Sequence, residues 1–337
     1  MKAVGYKTSL PIDQADSLID FETAKPEPAG RDIRVAVKAV SVNPVDTKVR
    51  MRAAPRDGDT KILGYDAAGI VDAVGPDVTL FKAGDEVFYA GSVLRQGTNA
   101  EFHLVDERIV GFKPKTLSFA QAAALPLTSI TAWELLFDRL GVVPGKSVDP
   151  RTLLIIGGAG GVGSILTQLA RRLTGLTVVA TASRPETTKW CRELGAHAVI
   201  DHSKPMKDQI EALKLPPVAL IASLTNTEQH FADLVDIMAP QGKIALIDDP
   251  STLNAMPLKA KSGSLHWEAM FARSSYQTAD MIAQHQLLND VSDMIDKGVL
   301  RTTLDQTFGT INAANLKRGH ALIESGKSVG KIVLEGW

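Results

Sequence analysis

Two hydrophobic periodicities divide the chain. Over residues 1 to about 120, apolar and polar positions alternate in short runs that end in turns. Ile33, Val35 and Val37 alternate with Arg34, Ala36 and Lys38, the pattern of a strand with one buried face. Met1 to Tyr6 reads as a first strand. Ala67 to Val71 runs into the turn Gly75-Pro76-Asp77, and Lys82-Ala83-Gly84-Asp85 precedes the strand-like Glu86 to Tyr89. Short strands punctuated in this way predict a compact, barrel-like β unit.

The texture changes near Ser118. Alanines at 120, 122, 123 and 124 open a helical region that runs through Thr131-Ala132-Trp133-Glu134-Leu135-Leu136. From residue 152 the order strand, turn, helix repeats. Thr152 to Ile156 is apolar throughout, as a strand buried on both faces of a parallel sheet requires. Ile165, Leu166, Leu169, Ala170 and Leu173 then recur at helical spacing. Further buried strands are predicted at 177–180, 198–200, 218–221 and 244–247. The alternation predicts a doubly wound α/β domain. A long helix carrying Met281, Ile282, Leu287, Leu288, Val291 and Ile295 follows, and a strand over 331–334 closes the chain.

Between the first buried strand and its helix lies Gly157-Gly158-Ala159-Gly160-Gly161-Val162-Gly163, with G-x-G-x-x-G at Gly158, Gly160 and Gly163. The pattern by itself is common. Between a buried strand and an amphipathic helix it marks a dinucleotide site. Bare backbone lets a pyrophosphate approach, and the helix start offers it N–H groups from Gly161, Val162 and Gly163. A tight turn without a ligand is the competing reading. About 20 residues on, NAD-binding sites place a carboxylate against the ribose hydroxyls. This chain has Thr181-Ala182-Ser183-Arg184 there. A forked guanidinium at Arg184, with hydroxyls from Ser183 and Thr187, suits a 2′-phosphate, so NADPH is the expected cofactor, a solvated loop arginine being the other reading of Arg184.

The formal net charge is −1 and no basic stripe is present, which argues against a nucleic-acid partner. No apolar run is long enough to span a bilayer, so no membrane role is expected, and the cytoplasm fits best. The single cysteine, Cys191, excludes an internal disulfide and reads as a buried bystander thiol in a helical stretch.

Several segments together resemble the zinc-free quinone oxidoreductase branch of the medium-chain dehydrogenase/reductase superfamily, which includes zinc-type alcohol dehydrogenase-like proteins. They are Val42-Asn43-Pro44-Val45-Asp46, Leu63-Gly64-Tyr65-Asp66-Ala67-Ala68-Gly69, Ala124-Leu125-Pro126-Leu127-Thr128-Ser129-Ile130-Thr131-Ala132-Trp133, the glycine turn, and Leu265-His266-Trp267-Glu268-Ala269-Met270-Phe271. The resemblance covers nearly the whole chain. It implies a GroES-like β-barrel catalytic domain of residues 1–126 and 275–337, and a Rossmann domain of residues 127–274 that binds the dinucleotide. It implies an active site in the cleft between them and a homodimer joined through the edge of the nucleotide-domain sheet. It also implies that Thr128 and Thr131 line the nicotinamide end and that His202 lies near the adenine, an exposed loop histidine being the alternative.

Zinc relatives carry a Cys where this chain has Asn43, a His-Glu pair where it has Tyr65-Asp66, and a third ligand near Pro126-Leu127. No thiolate or imidazole stands at these positions, no four-Cys lobe exists, and no histidines show the H-x-x-x-H ligand spacing, so no metal is expected. Without a Lewis acid, alcohol oxidation is unattractive. Hydride transfer to a quinone or another α,β-unsaturated carbonyl is easier, because the acceptor spreads the charge onto oxygen. Asn43 and Tyr65 are the candidate hydrogen-bond donors to that oxygen; a structural amide and a packed wall are their other readings. Asp46 is expected to buttress the cleft or contact a loop. Trp267 and Phe271 are candidates for the acceptor pocket, with core packing as the alternative. Competing functions are a 2-enoyl thioester or alkenal reductase, a non-enzymatic NADPH-binding protein, and a zinc alcohol dehydrogenase.

Overall fold

A computed structural model describes residues 1–56, 58–145 and 147–337. The chain forms two compact units, one of Met1–Ile130 with Phe271–Trp337 and the other of Thr131–Met270. Both divisions fall a few residues inside the expected span of the nucleotide domain. The first moves because the helix Pro126–Trp133 runs across it without a break.

The second unit is built on six strands: Thr152–Ile156 (β1), Thr177–Thr181 (β2), Ala198–Ile200 (β3), Val218–Ser223 (β4), Lys243–Leu246 (β5) and Ser264–Trp267 (β6). All neighbours pair in parallel and the order across the sheet is 3-2-1-4-5-6. That is the doubly wound order in which a ligand binds beyond the carboxyl ends of the strands, where the order reverses between β1 and β4. The central strand β1 is buried along its whole length. Leu154, Ile156, Val179, Ile221 and Ile244 from the sheet pack with Phe231, Leu234 and Val235 of one covering helix into a single apolar cluster. The strand β6 was not foreseen. It alternates polar Ser264 and His266 with Leu265 and Trp267, a weak signal proper to an edge strand that is only half covered.

In the first unit, Asp32–Val42 is the organising strand. One of its edges pairs with Ala67–Val74. Its other edge takes Phe102–Asp106 beside residues 32–36 and the C-terminal Lys331–Glu335 beside residues 39–42. Register then decides which side chains meet. Ile332 faces Val42 and Ala67 faces Val40, so Lys331, Asn43 and Asp66 converge at one end of the strand. The helical region expected after Ser118 is divided into Phe119–Ala123 and Pro126–Trp133. Pro126 causes the break, since it has no N–H to donate to the preceding turn. The second helix widens into a π-helical segment, Glu134–Arg139. Among the described residues, no helix is long and apolar enough to cross a membrane.

Candidate active site

The glycine turn follows β1 and opens the helix Gly161–Leu173 (α1). Gly157 donates to Thr181 Oγ1 at 3.0 Å and Gly158 to Thr181 O at 3.1 Å, which locks the turn to the end of β2. Each glycine of the motif is required for a separate reason. A Cβ at Gly163 would sit 2.3 Å from Gly157 O, and one at Gly158 would sit 2.7 Å from Ala180 Cβ. A Cβ at Gly160 would meet only Gly157 O, at 3.5 Å. Gly158 and Gly163 therefore let helix and sheet pack, while Gly160 keeps clear the space above the first turn. There Gly161, Val162 and Gly163 present amides for which helix geometry supplies no partner.

Beyond β2 the chain opens into a cleft of about 650 Å³ lined by Ser183, Arg184, Lys189, Arg192, Asp201 and Gln209, among others. Arg184 precedes the helix Pro185–Glu193 (α2), and its Nε lies 3.0 Å from Glu186 Oε1. Lys189, Arg192 and Gln209 carry no motif signal in the sequence. Helix α2 brings the two cations to the same cleft as Arg184, because its residues one turn apart share a face.

Thr187 differs from expectation. Its hydroxyl accepts from Arg184 N at 3.2 Å and donates to Arg184 O at 2.9 Å, so it closes the start of α2 rather than facing the cleft. His202 is half-buried with Nδ1 3.1 Å from Thr181 Oγ1, one hydrogen bond from the glycine turn, and it is its neighbour Asp201 that lines the cleft. Cys191 is buried behind the turn, and burial pushes its thiol up to about 12, as suits a bystander.

In the first unit Asn43, Asp46, Tyr65, Asp66 and Lys331 are all nearly inaccessible. Asn43 is not free to donate as expected. Its Nδ2 gives hydrogen bonds to Asp66 Oδ2 at 2.8 Å and Ser41 O at 3.4 Å, and its Oδ1 accepts from the Lys331 ammonium. Asp66 Oδ2 also accepts from Ser41 Oγ at 2.8 Å and Lys331 Nζ at 3.0 Å, and its Oδ1 accepts from Leu127 N at 2.8 Å. Asp66 thus caps the helix that carries Thr128 and Thr131, both buried. Asp46 accepts from Asn43 N at 2.7 Å and Gly64 N at 2.9 Å, which ties two loops together. Burial lifts its carboxyl to about 7 against the pull of those bonds and of Lys331.

Tyr65 stands apart from this knot. Its hydroxyl is buried with no hydrogen-bond partner, and its ring meets Phe271 edge-on at 5.5 Å. Burial raises the phenol above its usual range, so it is a neutral donor. Trp267, the second pocket candidate, belongs to the other unit. It is 54% exposed at the end of β6, where the edge of the sheet leaves one face uncovered.

A second acidic group was invisible in the sequence. Glu268, just after β6, and Glu134, at the start of the π-helical segment, are both buried and hydrogen-bonded to each other, and Arg139 Nε reaches Glu268 Oε2 at 2.8 Å. Burial first, then Glu134, raises Glu268 from 4.5 to about 8. The folded form therefore holds a proton that the unfolded chain releases, and stability falls as pH rises from 4.5 through about 8. Glu268→Gln keeps the hydrogen bond without the proton. It is expected to remove this decline and to be more stable than the parent at pH 8.5 by on the order of 2 kcal/mol. Urea unfolding at pH 5 and pH 8.5 measures the difference; parallel pH dependence in both proteins would refute it.

Residues 29–132 match the family described as alcohol dehydrogenase GroES-like domain, and residues 194–334 match that described as zinc-binding dehydrogenase. A zinc-type alcohol dehydrogenase-like protein of Staphylococcus aureus is 42% identical, covering 99% of each chain. A mitochondrial NAD(P)H oxidoreductase of Homo sapiens is 31% identical over 90% of this chain and 82% of its own length. The crystal structure of a putative zinc-dependent alcohol dehydrogenase from Rhizobium etli superposes with a TM-score of 0.96 at 61% identity, covering 100% of this chain and 98% of that one. Among the described residues, no group of three or more His, Cys, Asp or Glu is placed to hold a metal ion.

Proposed function

Because the chain belongs to the medium-chain dehydrogenase/reductase superfamily, we propose that this NAD(P)H oxidoreductase is a zinc-independent, NADPH-dependent reductase of small quinones or other α,β-unsaturated carbonyls. The observation that carries the reading is the cradle at the head of α1, kept open at Gly160, beside a cleft holding Arg184, Lys189 and Arg192. The amides of Gly161, Val162 and Gly163 hold the diphosphate, and Arg184 with Ser183 holds the 2′-phosphate. When bound, NADPH supplies the hydride.

Tyr65 is the donor to the acceptor oxygen as negative charge develops there, since its hydroxyl is neutral, buried and uncommitted. Phe271 orients the phenol through its ring edge. Asn43 serves by holding Asp66, the chain neighbour of Tyr65, in the knot. Thr128 and Thr131 sit one turn apart on the helix that Asp66 caps and mark the nicotinamide end. A homodimer joined along the outer edge of β6, with Trp267 in the interface, completes the reading.

Tyr65→Phe is expected to lower kcat for quinone reduction about 100-fold while leaving the affinity for NADPH unchanged. The test is stopped-flow oxidation of NADPH against a panel of quinones, alkenals and enoyl thioesters, with sedimentation analysis of the same preparation. Failure of every acceptor would leave a cofactor-binding protein rather than a reductase. An enoyl thioester preferred over all quinones would move the substrate class.

A further inference from the structure

Names matched by this chain refer to zinc, and the residues at the corresponding positions do not fit that ion. Zinc takes four close ligands from thiolate, imidazole, carboxylate or water. The positions here offer the amide of Asn43, the phenol of Tyr65 and the carboxylate of Asp66. Only the last is a zinc ligand by type, and both of its oxygens already accept hydrogen bonds from Ser41, Asn43, Lys331 and Leu127. A cation is nevertheless present, and it belongs to the chain.

We propose that Lys331 is a positioning residue whose ammonium is the resident cation of this site, so that Asn43 and Asp66 are matched to a tethered charge rather than to zinc. The side chain is 3% exposed, and an ammonium has three N–H groups. Three oxygens receive them: Val42 O at 3.1 Å, Asp66 Oδ2 at 3.0 Å and Asn43 Oδ1. No donor is left over, and the carboxylate oxygen that faces the ammonium is already shared with Ser41 and Asn43.

Strand pairing delivers the charge, because Lys331–Glu335 lies against residues 39–42 and so places Lys331 at Asn43. Tethered in this way, the cation cannot be lost to a chelator. It offsets Asp66, which is then able to cap the helix bearing Thr128 and Thr131. Its field also reaches Asp46, whose carboxyl it pulls down against burial. Through these contacts the ammonium holds both Asp66, the chain neighbour of Tyr65, and the helix start, and it supplies positive potential near the developing oxyanion without touching the acceptor.

The proposal uses the reductase reading only for its kinetic arm. The wild-type protein, incubated with Zn²⁺ and desalted, is expected to retain far less than one zinc per chain and to show no rise in Tm. Lys331→Ala leaves Asp66 and Asn43 facing the space of the lost Cγ, Cδ, Cε and ammonium, so Zn²⁺ or methylammonium is expected to raise its Tm where the wild type does not respond. One tightly held zinc per wild-type chain would overturn the proposal, and so would a folded Lys331→Ala protein indifferent to both cations.

Where Lys331→Ala does not fold, Lys331→Met combined with Asp66→Asn removes the charge together with its counter-charge. This pair is expected to fold and to bind NADPH as the wild type does. It should reduce acceptors about tenfold more slowly in kcat at unchanged KM for NADPH. Wild-type kcat in that variant, or its failure to fold, counts against Lys331. If the wild type turns over no acceptor, the reductase reading fails by itself, and the zinc and methylammonium measurements still decide the role of Lys331.

Discussion

Arg184→Asp is expected to weaken NADPH binding by about 100-fold or more while changing NADH affinity by less than about threefold. The argument is one of charge geometry. The Arg184 side chain is 35% exposed in a cleft that also holds Lys189 and Arg192. A guanidinium pairs with a phosphate through charge-assisted hydrogen bonds worth roughly 1.5–3 kcal/mol, and an aspartate in its place adds repulsion to that loss. Towards NADH the same aspartate is no handicap, because a carboxylate at the end of β2 accepts from the ribose hydroxyls. Fluorescence titration with both cofactors at one ionic strength reads the two constants. Equal losses would show that the adenosine phosphate is not held here, and the choice of NADPH over NADH would lose its support.

The second large effect separates the two tasks of the glycine turn. Gly163→Val pushes a branched side chain to within 2.3 Å of Gly157 O and 2.7 Å of Gly158 Cα, both of them backbone atoms that cannot swing away. The turn must open or α1 must leave the sheet, so stability is expected to fall by about 3 kcal/mol and cofactor binding to vanish with it. The Cβ of Gly160→Val meets nothing closer than 3.5 Å, at a backbone φ of −71° that any residue adopts. That variant is expected to lose no more than about 1 kcal/mol of stability, the cost of a poor helix cap. Its side chain nevertheless fills the space over the first-turn amides, and affinity for NADPH is expected to drop at least about 100-fold. Thermal unfolding monitored by circular dichroism gives the first quantity and cofactor titration the second. Normal NADPH binding by Gly160→Val would remove the cradle from this account.

The contrast between these glycines also marks how far the sequence could be read. The motif and its place between a buried strand and a helix were legible from residues 152–173 alone. The division of labour between Gly160 and Gly163 was not, because it depends on how closely α1 lies on Gly157 and Gly158. Thr187 shows the same limit. Its position after Arg184 suited a phosphate ligand, yet a hydroxyl three residues past a helix start is equally placed to close that start, and the backbone took it. Asn43 was read as a donor to the acceptor oxygen, whereas three internal partners claim its amide.

What the sequence alone determined is what short-range physics writes into it. Apolar runs bounded by turns located five of the six strands of the doubly wound sheet, and the glycine spacing singled out the turn that joins the first of them to its helix. Each of these signals lies within a few dozen consecutive residues. The tertiary structure decided whatever depends on register between distant segments. It set Lys331 beside Asn43 and Asp66, some 265 positions away from the latter, because the last strand pairs at residues 39–42. It buried Glu268 against Glu134, which together with burial raises the Glu268 carboxyl, and it left Tyr65 with an unclaimed hydroxyl against Phe271. Buried charges and orphan donors are properties of surroundings rather than of residue types: desolvation acts only once the chain has closed around them.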